Sequence, residues 1–412
     1  MNRAASAVES AICTEASDSP NLFTTVARVE GDFTEQELNA AIAKIQRRHP
    51  LCRVRYISGP GGSRFEETSR AAPLRFVDRY RKEDLFREVV NELEDPCDLE
   101  RGPLVRFACL RDQKICDIVM VLHHAVADGL SAVILMGDLL RYLGNPSAPV
   151  EELALQPSMG ALIPKEVYDF LPPPEKILAS FQSSERQGAQ SVLEMPPPRF
   201  HVLHRSMDKS QLKPLLARCK ENRVTVHGAL GAAVLLASQA VYEDGQTTRT
   251  LQSPVSVRHL LPADLEGHFG MFITIVKEPV ECHTERDFWD ITRDVSGHLH
   301  ELVNPQKLMM RLAATESVAD YMQREGQMKL GLLKADYDAS VSNLGRLTIP
   351  TEYGAVKLRS LIGPTFGANK DEKVIGVNTL DGQLNLTLCF RKKIMEPEEG
   401  ERLLDLVMER LS

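Results

Sequence analysis

Ten of the chain's 24 prolines fall within residues 144–198, among them the runs Pro172, Pro173, Pro174 and Pro196, Pro197, Pro198. A proline run cannot continue a helix or a central strand, because each ring removes a backbone donor and fixes φ. This stretch therefore reads as a linker or crossing segment. It divides the 412 residues into an N-terminal lobe, 1–145, a proline-rich segment, 146–198, and a C-terminal lobe, 199–412. Each outer part mixes strand and helix patterns without an internal repeat. The expected fold class is α/β in the broad sense, two α+β lobes built on mixed sheets.

Local patterns fill in the lobes. Residues 22–29 are rich in β-branched side chains and read as a strand. Thr34 then opens a helix with acids in its first turn and apolar residues at Leu38, Ala41, Ile42 and Ile45; Arg47, Arg48 and His49 close it and Pro50 stops it. Residues 54–57 and 64–66 flank a Gly-Pro-Gly-Gly turn and are expected as a hairpin. A helix over 83–93 precedes strands over 103–110 and 114–122, and Leu130, Val133, Ile134 and Leu140 mark an amphipathic helix after them. In the second lobe a strand is expected over 199–206 and helices over 211–219 and 226–241.

Composition narrows the function classes. With 49 Lys and Arg against 57 Asp and Glu the net charge is −8, which argues against a general nucleic-acid binder. The eight cysteines run from Cys13 to Cys389 with no C-x-x-C pair, so they are expected as scattered reduced thiols, without metal-site spacing. Residues 224–242 contain no Asp, Glu, Lys or Arg, but Thr225, His227, Ser238 and Gln239 favour a buried core helix over a membrane span. The first twenty residues include Glu9 and Glu15 and no apolar run; no secretory signal and a cytoplasmic location are expected.

The segment His123-His124-Ala125-Val126-Ala127-Asp128-Gly129 lies between a strand and a helix, where loops commonly carry chemistry. An imidazole with a pKa near neutrality can act as a base. On these residues alone, Asp128 is equally a helix N-cap and the histidines equally satisfied core residues. Metal ligation lacks a third ligand at a usual spacing. No Gly-x-Ser-x-Gly elbow is present, so a covalent acyl-serine is not expected.

His123 to Gly129 resembles the HHxxxDG motif of the condensation-domain and thioester-dependent acyltransferase superfamily, which includes polyketide-associated O-acyltransferases, alcohol acetyltransferases and chloramphenicol acetyltransferases. Four further segments resemble that group in order and spacing: Arg48-His49-Pro50-Leu51-Cys52-Arg53, Gly102-Pro103-Leu104-Val105-Arg106, the strand Ser253 onward that ends in Arg258, and Ser342-Asn343-Leu344-Gly345. The resemblance runs from about residue 20 to the C-terminus and implies two chloramphenicol-acetyltransferase-like lobes with the active site in a tunnel between them.

The resemblance also implies roles. His124 is expected as the general base, with His123 beside it; Asp128 as a structural acid paired with Arg258 of the other lobe; and Gly129 as a residue permitting close backbone approach. Ser342 and Asn343 are candidate oxyanion or substrate donors. The implied reaction is acyl transfer from a thioester to a hydroxyl, with amide formation on an amine or non-catalytic docking as alternatives. No permanently bound cofactor and no metal are expected; acyl-CoA or a phosphopantetheine-linked donor would be substrate. A free-standing monomer is expected. An acyl carrier protein is a possible partner, and Arg47, Arg48, Arg53, Arg55, Arg79, Arg81 and Lys82 form a candidate basic patch for it. The aromatic C-terminal loop of the plant branch has no counterpart, since the segment nearest to it is Gly363-Pro364-Thr365-Phe366-Gly367 and the single tryptophan is Trp289.

Overall fold

Thr34 starts the helix Glu35–Arg48 through a capping box: its hydroxyl accepts from the Glu37 N–H at 3.2 Å while the Glu37 carboxylate accepts from the Thr34 N–H at 2.7 Å. Leu38, Ala41, Ile42 and Ile45 form the buried stripe of this helix. They pack with the helix Gly129–Gly144 on one face of a six-stranded sheet. The computed structural model describes all residues except 1, 15–20, 60–61, 79–80, 82, 113–114, 183–198, 243, 262–263, 284, 327–336 and 368–372.

The first sheet runs in the order Glu352–Tyr353, Val356–Phe366, Leu22–Gly31, Ile115–His123, Val105–Asp112, Leu74–Asp78. Its pairs are antiparallel except the last, which is parallel. Strand Ile115–His123 is buried along nearly its whole length because helices cover both faces. The helix Asp84–Glu94 covers the second face and carries Leu85, Val89 and Leu93 into a cluster shared with Phe200 and Val202 of the other lobe.

The second sheet runs Ile273–Glu281, Thr248–Ser256, Ala339–Arg346, Val374–Leu380, Gln383–Arg391, Phe200–Met207, with two parallel pairs flanking Ala339–Arg346. The helix Val226–Tyr242, buried from Gly228 to Ser238, packs on it as a core helix with the helices Lys209–Glu221, Phe288–Leu302 and Pro397–Leu411. No single helix among the described residues is long and apolar enough to cross a membrane. The cysteines are free thiols.

Two features depart from a simple cut at the prolines. Glu352–Tyr353 and Val356–Phe366 lie in the C-terminal part of the chain yet form the edge of the first sheet. The described part of the proline-rich segment is also more than a connection. It forms short helices at Met159–Leu162, Lys165–Tyr168 and Pro174–Gln182, and Met159 and Ile163 pack with Leu308 and Leu312 of the helix Pro305–Arg324. The run Pro196 to Pro198 lies outside the described residues.

The sheets meet where Val356–Phe366 passes Val374–Leu380. Asn378, fully buried, donates to the Leu361 and Gly363 carbonyls at 3.0 and 2.6 Å, and the Thr387 hydroxyl donates to the Pro364 carbonyl at 3.2 Å. A Cβ on Gly376 would lie 1.7 Å from the Pro364 carbonyl oxygen, a backbone atom that cannot rotate away. Gly376→Ala is therefore expected to force the two strands apart, costing about 3 kcal/mol as an overpacked site. Thermal unfolding checks this against Gly297→Ala, a helical position with nothing within 4 Å, which should leave the melting temperature unchanged or raise it.

Candidate active site between the lobes

Strand Ile115–His123 ends by pairing His123 with Leu22, and the chain then turns sharply. The His123 N–H donates to Leu104 O and the His124 N–H to Asn21 O, so both histidines hang from fixed backbone. His123 faces inward and is buried, its Nδ1 accepting from the Ala125 N–H at 3.3 Å. Burial, with a smaller contribution from His124, pulls its pKa down to about 3, which keeps it neutral and structural at ordinary pH. His124 points the other way. Its ring stacks on Phe366 at 5.6 Å and 19°, touches Phe23 at 5.1 Å, and lines a cavity of about 1380 Å³.

Asp128 ends the turn and caps the helix Gly129–Gly144, accepting from the Ser131 N–H at 2.8 Å. It also reaches the other lobe. Its Oδ1 and Oδ2 lie 2.8 and 3.0 Å from Nη2 of Arg258, and Oδ2 accepts from the Phe272 N–H at 2.9 Å. Arg258 uses one nitrogen for the carboxylate rather than a two-pronged fork, because Nη1 donates to the His268 carbonyl at 3.0 Å. The guanidinium lies 4.6 Å over the Phe272 ring. Ser131 closes the network, accepting from the Gly270 N–H at 3.0 Å. Asp128 thus fixes the second-lobe segment 268–272, whose Met271 forms part of the cavity wall.

The remaining sequence candidates line the same cavity. Gly129 begins its helix with Leu344 so close that a Cβ would lie 2.6 Å from Leu344 Cδ2. Ser342 pairs with Gly376 through the backbone and is buried; Asn343 lines the cavity and its Oδ1 accepts from the Gly345 N–H at 2.8 Å. The structure brings His124, Gly129, Ser342 and Asn343 to one cavity and holds Asp128 and Arg258 behind it. No described cluster of His, Cys, Asp and Glu is arranged to hold a metal.

Phe366 was not among the sequence candidates, yet it stacks on His124. The signal lay in Gly363 to Gly367, the segment set aside for lacking the plant-branch pattern. The basic patch fares differently: Arg48 bonds Asp138 at 2.8 Å, Arg53 bonds Glu67 at 2.8 Å and Arg55 bonds Glu66 at 2.9 Å. Arg47 faces Glu152 at 3.4 Å. These four arginines pair with the protein's own carboxylates, Arg81 is exposed, and Arg79 and Lys82 lie outside the described residues.

Residues 15–147 match the family model described as Condensation domain. The nonribosomal peptide synthetase kk1B of Curvularia clavata is 22% identical over 94% of the chain. The chain spans a tenth or less of the length of the curated relatives it matches first. Among solved structures, the TRI3 trichothecene 15-O-acetyltransferase of Fusarium sporotrichioides superposes with a TM-score of 0.76 at 12% identity, covering 100% of this chain and 94% of that one. The first condensation domain of the calcium-dependent antibiotic synthetase gives 0.71 at 14% identity, covering 100% and 96%. Residues 15–147 thus match the Condensation-domain model in sequence, and the chain over its whole length has the fold shared by the condensation domains and the trichothecene acetyltransferase.

Proposed function

We propose that the protein is an acyltransferase moving an acyl group from a thioester to a hydroxyl, with His124 as general base. The observation that carries this reading is the placement of the His124 imidazole on the wall of a cavity bounded by both lobes. Ligand pockets commonly measure about 300–1,000 Å³. At about 1380 Å³ this one has room for an acyl thioester and an acceptor together.

A hydroxyl is a poor nucleophile until its proton is removed as it attacks. His124 takes that proton while the acceptor oxygen bonds to the thioester carbonyl carbon, and the imidazolium returns it to the departing thiolate as the C–S bond breaks. In this reading Ser342 and Asn343, which line the same cavity, donate to the carbonyl oxygen as it becomes an oxyanion. No cysteine lines the cavity, and burial pushes the Cys52 thiol up and those of Cys97 and Cys282 to about 11, which supports direct transfer without a thiol intermediate. The donor is acyl-CoA or an acyl phosphopantetheine arm, bound as substrate.

The second reading is amide formation on an amine acceptor, favoured by the peptide-synthetase relatives. The deciding assay incubates the protein with acyl-CoA and acyl-carrier donors against pooled alcohols and amines, with products identified by mass spectrometry. Esters cleaved by alkaline hydroxylamine are expected. Alkali-stable amides alone would establish the second reading, and no transfer to any acceptor would leave a docking role.

A further inference from the structure

The cavity walls carry four basic side chains, Lys176, Lys277, Lys307 and Arg311, and among the described residues no Asp or Glu. This is a sharp local departure in a chain of net charge −8. Three of the four have ordinary explanations. Lys176 and Lys307 are exposed, and Lys277 lies 5.4 Å over the Tyr337 ring. Arg311 does not. It is half-buried on the helix Pro305–Arg324, and its guanidinium has no hydrogen bond or ion pair among the described residues. Other partly buried arginines differ: Arg28 pairs with Asp117, and Arg48 with Asp138. Lys307 lies one helical turn before Arg311, so two like charges share one face of the helix, an arrangement that weakens it.

We propose that Arg311 binds an anionic group, a carboxylate or a phosphate, on an otherwise apolar substrate held in this cavity. The surrounding wall fits such a molecule: Met310, Leu302, Ile273 and Ile275 are apolar neighbours in the same lining. Burial lowers the pKa of Arg311, consistent with a desolvated guanidinium waiting for a counter-charge. A planar guanidinium suits both oxyanions, since each offers two oxygens to its fork. This inference rests on reading the cavity as the substrate tunnel, but its test does not need turnover.

The test is calorimetric titration with decanoate, decyl phosphate and decanol, each below its micellar concentration, on the wild type, Arg311→Met, Arg311→Lys and His124→Ala. The wild type is expected to prefer at least one anionic probe over decanol by about tenfold, the value of one charge-assisted hydrogen bond. Arg311→Met should bring the preference within about twofold, with Arg311→Lys between the two, and should not lower the melting temperature because it removes an unpaired charge. His124→Ala should keep the full preference, which separates this site from the catalytic reading. Preference for decyl phosphate alone identifies a phosphate, as on a coenzyme or carrier arm; preference for decanoate as well identifies a carboxylate-bearing substrate. Equal affinity for all three probes, or a preference that survives Arg311→Met, overturns the proposal.

Discussion

His124→Ala is expected to lower the rate of acyl transfer by about 10²–10⁴-fold, the usual contribution of a positioned general base. The loss should fall on the chemical step, leaving donor affinity and melting temperature close to wild type. Both expectations follow from placement. The ring is held by stacking on Phe366 and Phe23, and its backbone N–H is fixed to Asn21 O, a bond that alanine retains. His123→Ala provides the contrast: that ring is buried and neutral, so its removal should cost stability, as a cavity does, before it costs chemistry. Steady-state kinetics with thermal melts on both variants separates the roles. A His124→Ala enzyme that turns over within threefold of wild type would remove the residue from the reaction.

Asp128→Ala is expected to destabilise the protein by about 3–5 kcal/mol, because it strands a buried guanidinium and two buried N–H groups together. Its carboxylate is fully buried and joins the cap of the helix Gly129–Gly144, Arg258 and the Phe272 backbone. For a chain of this size each kcal/mol moves the midpoint by about 1 °C, so a fall of about 5 °C is expected. Asp128→Asn keeps the cap oxygen but loses the charge opposite Arg258 and should fall between. Pairing Asp128→Ala with Arg258→Ala tests the contact itself: the double variant should be less destabilised than the sum of the single changes by about 2 kcal/mol. Activity should follow the loss of structure, since segment 268–272 then leaves the cavity wall. A soluble, thermally unchanged but inactive Asp128→Ala protein would contradict the structural role.

What the sequence revealed, and what it hid, follows the range of the interactions. The helix Glu35–Arg48 was legible because its cap, its apolar stripe and its stop are all local. The strand, turn and helix around His124 and Asp128 were legible for the same reason. Arg258 was reachable only through the resemblance, since it lies 130 residues from Asp128 and nothing in its own surroundings announces the contact. Phe366 was missed because it reaches His124 through strand register, Val356–Phe366 pairing across Leu22–Gly31, and periodicity does not encode register between distant strands. The partners of the basic patch were hidden because they come partly from far away, Asp138 lying 90 residues beyond Arg48. Arg311 was invisible for the complementary reason. An arginine with a partner and one without look the same in a sequence.

In the proposed reaction, one cavity between the lobes brings a thioester and a hydroxyl to His124. The most direct test is a crystal structure with a non-hydrolysable acyl-pantetheine analogue and an alcohol acceptor bound together. The predicted result is an acceptor oxygen within about 3 Å of a His124 ring nitrogen, with the analogue's carbonyl facing Ser342 or Asn343. An analogue seated in the cavity with its carbonyl remote from His124, or bound outside the cavity altogether, would contradict it.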